Sequence, residues 1–279
     1  MLDNYLYVVI VNSYLGIKMS SRLSKYYQKK GTLILLGELL IIWVSLWQTY
    51  ANSPLAFGMN RNVKLKQQLI GEANLNSLLA LMGDGRFYAL IILPIFLSAL
   101  LRTLIPWRSN IVTRVSVRQK GKLNDKALLN ISAKQACLLC LVSLGVILTG
   151  FMPHVPWNNI ALGVIGLLGL TCIVYFYFWG QLALLINVFA SSWMGTIVLA
   201  YGASAISYFC FKRIDIAWTP TRVFDEVLTL LQMQSVKAGW QLTMNSVLQI
   251  IYLNVITLIF IVVVKIVGQE VQQRVDVEH

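Results

Sequence analysis

From Gln135 to Phe211 the sequence contains no Asp, Glu, Lys or Arg. Soluble domains are about one-quarter charged, so no soluble domain tolerates an uncharged run of this size. The rest of the composition agrees, with 57% hydrophobic residues, 12% charged residues and a mean hydropathy of +0.69. In hydrocarbon the backbone must satisfy its own hydrogen bonds, and an apolar helix does so within one segment. The expected fold is therefore an all-α polytopic membrane protein.

A bilayer-spanning helix takes roughly 20 mostly apolar residues. Six stretches qualify in the sequence: Thr32–Tyr50, Phe87–Trp107, Ala136–Met152, Ile160–Trp179, one inside Leu182–Phe211, and Val247–Val264. The division is then an interfacial segment over 1–31, a transmembrane domain over 32–267 and a tail over 268–279. The link between spans four and five is expected at Gly180–Gln181. At the N-terminus an apolar stretch precedes the basic residues, the reverse of a signal peptide, so none is expected.

Lys and Arg favour the cytoplasmic side of short loops. Lys18, Arg22, Lys25, Lys29 and Lys30 precede span one, and Arg108, Arg114, Arg118, Lys120, Lys122, Lys126 and Lys134 follow span two. Two crossings separate these clusters, so both lie inside and both termini are expected in the cytoplasm. The segments 52–86 and 212–245 then lie outside. Trp107 and Trp179 fall at expected inner ends, and Trp157 and Trp240 at outer ends, as an aromatic belt requires.

Ser13–Lys30 reads as an amphipathic helix. Leu15, Met19, Leu23 and Tyr26 share one face and the cations a neighbouring one, which suits the membrane interface. On the outer side, Leu75–Met82 is apolar enough to lie on the membrane. Thr219 and Pro220 supply an N-cap and a first helical residue. Phe224, Val227, Leu228 and Leu231 then form an apolar stripe, so a short helix is expected at the outer surface before span six.

Catalytic chemistry is sparse. The sequence has two histidines, His154 and His279, and lacks H-E-x-x-H, G-x-S-x-G and paired carboxylates. It also lacks a P-loop, so this chain does not hold ATP by that motif. No enzyme activity and no cofactor are expected in it. Cys137, Cys140, Cys172 and Cys210 fall in apolar spans and read as packing residues. His154 reads as a turn residue, since one histidine makes no metal site.

Intramembrane ionisable groups face protein or water and mark function. Glu38, about one-third into span one, is such a group. Arg102, near the cytoplasmic end of span two, is its candidate partner on a polar or substrate path. Asn187, Gln249 and Asn254 read as interhelical hydrogen-bonding groups, and Gly163, Gly166 and Gly169 as a close-packing seam.

The basic segment 107–135 lies between two spans, which leaves no nucleic-acid-binding fold. Topology accounts for its cations but not for Ile111, Val112, Val115 and Val117 interleaved with Arg114 and Arg118. Apolar residues in that pattern suit a short element that lies on the membrane or docks into another protein.

The order of these features resembles the permease subunits of ABC-2-type transporters. The segment FYALIILPIFLSALLRTLIPWRSNIVTRVSVRQK, with Pro94, Arg114 and Arg118, is similar to the span-two and loop region of bacteriocin- and lantibiotic-associated bacterial ABC permeases. The resemblance implies separate cytoplasmic ATPase subunits that bind ATP and Mg, and a second permease subunit, the same or homologous. It makes Ile111, Val112, Arg114, Val115 and Arg118 an ATPase-coupling element, and it implies export of a hydrophobic peptide or lipid across a bacterial cytoplasmic membrane. Two other functions fit the same spans: a non-transporting immunity or assembly factor, and a proton-coupled secondary transporter working through Glu38. The absence of an inverted repeat counts against the last.

Overall fold

The structure is a computed structural model. It describes residues 37, 40, 41, 44, 83–101, 117–148, 159–190, 192–214, 218–228, 230–235 and 239–277. Gly37, Leu40, Ile41 and Val44 are helical; the rest of span one, the N-terminal amphipathic segment and Leu75–Met82 lie outside the described residues.

Apart from connecting turns and one short hairpin, the described residues are helical. Helix α1 covers Phe87–Leu101 and opens on a π-helical turn, Phe87–Ile92. Helix α2 is Val117–Leu148, α3 Asn159–Phe189, α4 Trp193–Ile214 and α5 Arg222–Leu228. Strands β1 (Leu231–Ser235) and β2 (Gly239–Leu242) pair antiparallel, with a register shift between Met233 and Ser235. Helix α6, Met244–Val277, follows. Among the described residues two segments are long and apolar enough to cross a membrane: Leu162–Phe189 of α3 and Met244–Val271 of α6. Phe87–Leu101 and Trp193–Phe209 are shorter apolar helices.

Three sets of contacts fix how the long helices run. Gly169 meets Cys140 and Gly180 meets Leu128, so α3 is antiparallel to α2. Thr171 bonds Asn254 and Gly268 meets Leu185, so α3 and α6 are parallel. Asp125 pairs with Lys265 and Gly121 meets Gln269, so α2 and α6 are antiparallel. The chain between two parallel helices has to run back past them, and α4 supplies that return. The start of α2, the end of α3, the start of α4 and the end of α6 therefore share one end of the bundle.

Helix α3 is the central element. Of its most apolar 18-residue stretch 61% is buried, against 28% for that of α6. Tyr88, Phe96, Tyr175, Phe176, Trp179 and Phe224 make an aromatic core around it. Tyr88 and Phe224 stack with ring centroids 3.8 Å apart, and Tyr175 meets both rings edge-on. Leu248, Tyr252, Val255, Ile259, Val262 and Ile266 of α6 are exposed, which suits a helix that faces lipid.

Five expectations change. The link expected at Gly180–Gln181 is helix interior, and the chain breaks instead between Phe189 and Trp193. Gly180 reads as a breaker in sequence, but its missing Cβ lets α2 approach: a Cβ there would collide with Leu128. The actual break is set by Ser192, whose Oγ accepts from the Gly195 N–H at 3.0 Å and caps α4.

The basic segment is the second change. From Val117 onward it is not a loop but the first half of α2, continuous with the apolar stretch expected as span three. At 32 residues α2 is about 48 Å long, well beyond the roughly 30 Å of bilayer hydrocarbon.

The third concerns glycines. Gly169 contacts α2, with a Cβ placed 2.8 Å from the Cys140 Sγ, whereas Gly163 and Gly166 meet nothing within 4 Å. The close-packing face is Gly169 with Gly180, three helical turns apart.

Fourth, the helix expected on the outer surface is packed into the core. Phe224 and Val227 are fully buried, while Asp225 stays exposed as the stripe requires. Its cap is as expected: Thr219 Oγ1 accepts from the Arg222 N–H at 3.0 Å. Leu231 belongs to β1 rather than to the helix. Fifth, Trp179 is a core residue, 2% exposed against Tyr175 and Phe178, and is no interfacial aromatic.

Candidate functional site

Of the residues singled out for function, Glu38, Arg102, Ile111, Val112, Arg114 and Val115 lie outside the described residues. Arg118 falls in the first turn of α2. His154 and His279 also lie outside. No group of three or more His, Cys, Asp or Glu side chains among the described residues is arranged to hold a metal ion.

The described residues do form a charged cluster where three helices meet. Asp125 of α2 forms an ion pair with Lys265 of α6 through Oδ2. Its Oδ1 accepts from the Gln181 Nε2 of α3 at 2.8 Å. One carboxylate thus ties α2, α3 and α6 together. The pair is partly open, with side-chain exposures of 39% for Lys265 and 21% for Asp125. It borders a cleft of about 40 Å³ whose lining includes Gly121, Asn124, Leu184 and Gly268. That volume admits water but no drug-sized ligand.

Each member is placed by its helix. Asp125 and Gln181 lie about 12 Å, or eight residues, inside the shared end of the bundle. Gly180 precedes Gln181 and allows α2 close enough for the bond to Asp125. Gly121 and Gly268 sit one turn from the ion pair; Gly121 faces Gln269 of α6 and Gly268 faces Leu185 of α3. Two signals in the sequence point to the cluster. Asp125 is the only acidic residue in the basic segment 107–135, and Lys265 is the only charge in a run of apolar residues from Val255 to Gly268. Ending span six at Val264 hid the second signal.

Further polar contacts join the helices elsewhere along their length. Asn254 Nδ2 donates to Thr171 Oγ1 at 3.0 Å, joining α6 to α3. Thr196 Oγ1 donates to Asn187 Oδ1 at 3.2 Å, joining α4 to α3. Asn187 and Asn254 thus make the interhelical bonds expected of them. Trp218 Nε1 donates to Thr257 Oγ1 at 3.2 Å, and its ring stacks on Phe260 with centroids 4.1 Å apart. The Cys172 thiol lies 3.5 Å from the Tyr88 hydroxyl. Cys140 and Cys172 are packing residues, as expected: Cys140 faces Gly169, and Cys172 is in the core.

At the start of α1, Asp84 accepts from the Arg86 backbone N–H at 2.9 Å and pairs with its guanidinium at 3.0 Å. The guanidinium also donates from Nε to the Asp84 carboxylate at 3.1 Å, and that side-chain hydrogen bond with the carboxylate's charge raises the Arg86 pKa above its ordinary value. The pair is solvent-facing, with 66% exposure for Arg86, and serves to order the turn ahead of Phe87.

No protein-family model matches this chain, and no curated protein or solved structure does either.

Proposed function

We propose that this chain is the membrane-spanning permease subunit of an ABC transporter. It sits in a bacterial cytoplasmic membrane as a six-span protein, with an N-terminal interfacial helix and both termini in the cytoplasm. It exports a hydrophobic peptide or lipid-like substrate. Separate ATPase subunits dock on the 107–122 segment and supply the energy, and a second permease subunit completes the path.

The observation that carries this reading is the continuity of α2. The second part of the basic segment and the third apolar stretch form one helix, Val117–Leu148. A displacement applied near Val117 is transmitted along a helix instead of being absorbed in a flexible loop. The helix directions add support. The ends of α2, α3, α4 and α6 that gather together include the basic start of α2, and that is the arrangement positive-inside topology requires.

The test is copurification of the full chain from its native membranes. The expected result is a stoichiometric ATPase whose hydrolysis is stimulated by the permease, with the stimulation lost in Arg114→Ala/Arg118→Ala. Isolation of the intact chain with no nucleotide-hydrolysing partner would sink the reading.

A further inference from the structure

We propose that Asp125 and Lys265, with Gln181 holding the other carboxylate oxygen, form a releasable latch that fixes the basic first half of α2 against α6. The latch deepens the permease reading, because it lies on the helix that leaves the 107–122 segment.

Four observations carry it. The ion pair is the only one between α2 and α6 among the described residues. Away from it the two helices touch sparingly, since α2 packs mainly on α3. On the α2 side Gly121 meets the end of the Gln269 side chain at an ordinary 3.7 Å, so little side-chain interlock holds the seam at this level. A cleft opens beside the pair, so water can solvate both charges as they part.

Together these make the seam two-state. When the pair is closed, Asp125 bridges α2 to both α6 and α3. When it is open, Lys265 and Asp125 are hydrated, and α2 pivots about its packing on α3 at Leu128–Gly180 and Cys140–Gly169. The Leu128 and Gly180 contact, one turn away, keeps α2 attached throughout. A fully buried pair would have no such second state, because separated charges out of water are too costly.

The experiment uses the full chain in lipid nanodiscs, with Cys137, Cys140, Cys172 and Cys210 replaced by alanine. Nitroxides are placed at Lys126→Cys and Glu270→Cys, both at exposed positions and both outside the 107–122 segment. Pulsed spin-spin distance measurement then reads the α2–α6 seam. The parent is expected to show one short distance, with an open state of at most about 10%. Asp125→Asn and Lys265→Met are each expected to make the longer distance the major population. The exchanged pair, Asp125→Lys with Lys265→Asp, is expected to return the short one. Monodisperse behaviour in detergent checks that each variant is folded.

Unchanged distances in both single variants would overturn the latch. So would a folded exchanged pair that stays open. Addition of the copurified ATPase subunits and ATP to the parent is expected to shift it to the longer distance. If the variants respond and nucleotide does not, the latch stands and the permease reading fails.

Discussion

Gly180 of α3 lies so close to Leu128 of α2 that no other residue fits there without displacing that side chain. Leu128 is itself fully buried and cannot swing into solvent. Gly180→Ala sets about 1 kcal/mol of improved helix propensity against an overpacking cost of about 1–3 kcal/mol. Overpacking wins, and the thermal midpoint in detergent falls. The double variant Gly180→Ala/Leu128→Ala is expected to be more stable than the sum of the two singles. Gly166→Ala is the control. With nothing within 4 Å of its Cβ position, it is expected to be neutral or slightly stabilising.

Phe224 joins the connecting segment to the bundle core. It is fully buried, stacked on Tyr88 and edge-on to Tyr175. Phe224→Ala removes that ring and leaves a cavity, an expected loss of about 3–5 kcal/mol. Phe224→Leu keeps most of the volume and is expected to lose less. Proteolysis provides a local readout: in Phe224→Ala, cleavage between Trp218 and Gly239 should accelerate before cleavage inside α3.

How far the sequence reveals this structure depends on the kind of signal. Apolar length locates the helical stretches, because the absence of charge from Gln135 to Phe211 depends on no partner. Caps are legible where their chemistry is local. Thr219 holds the start of α5 as expected, and Ser192 carries an equally readable signal at α4. The break wrongly expected at Gly180 has a different cause. A glycine in an apolar run reads as a breaker or as a packing surface, and only the neighbouring Leu128 distinguishes the two. The same holds for Trp179, whose indole suits an interface in sequence and a core in the folded bundle. The charged cluster was hidden because Asp125 and Lys265 are 140 positions apart, and each alone resembles an ordinary loop or boundary charge. The coupling role that the resemblance implies for Arg114 and Arg118 is tested by the ATPase experiment.

Thr219 offers a smaller and more local prediction. Its hydroxyl accepts the Arg222 N–H and lies 3.3 Å from the Thr221 hydroxyl, with both threonines buried. Thr219→Ala removes the side-chain cap of α5, leaving the Arg222 N–H its 3.1 Å bond to the residue-219 carbonyl, at an expected cost of about 1 kcal/mol. Thr219→Ser keeps the oxygen and is expected to recover most of it. Thermal unfolding in one detergent and one lipid mixture orders the three proteins as parent, Ser variant, Ala variant.

The Asn254–Thr171 bond tests how α6 is held to α3. Both groups are buried and neither is charged, so solvent screening plays no part. Hydrogen bonds between membrane helices average about 0.6 kcal/mol and reach about 1.7 in double-mutant cycles. Thr171→Val removes the acceptor but keeps the shape, leaving the Asn254 amide buried without that partner. Asn254→Leu removes the donor and leaves Thr171 Oγ1, whose hydroxyl still has the α3 backbone within reach as an acceptor. Thr171→Val is therefore expected to be the more destabilising single change. The double variant restores an apolar seam and is expected to lie close to Asn254→Leu alone. Reversible unfolding in mixed detergent gives all four stabilities, and strict additivity of the two single changes would show that the bond contributes nothing to the α3–α6 pairing.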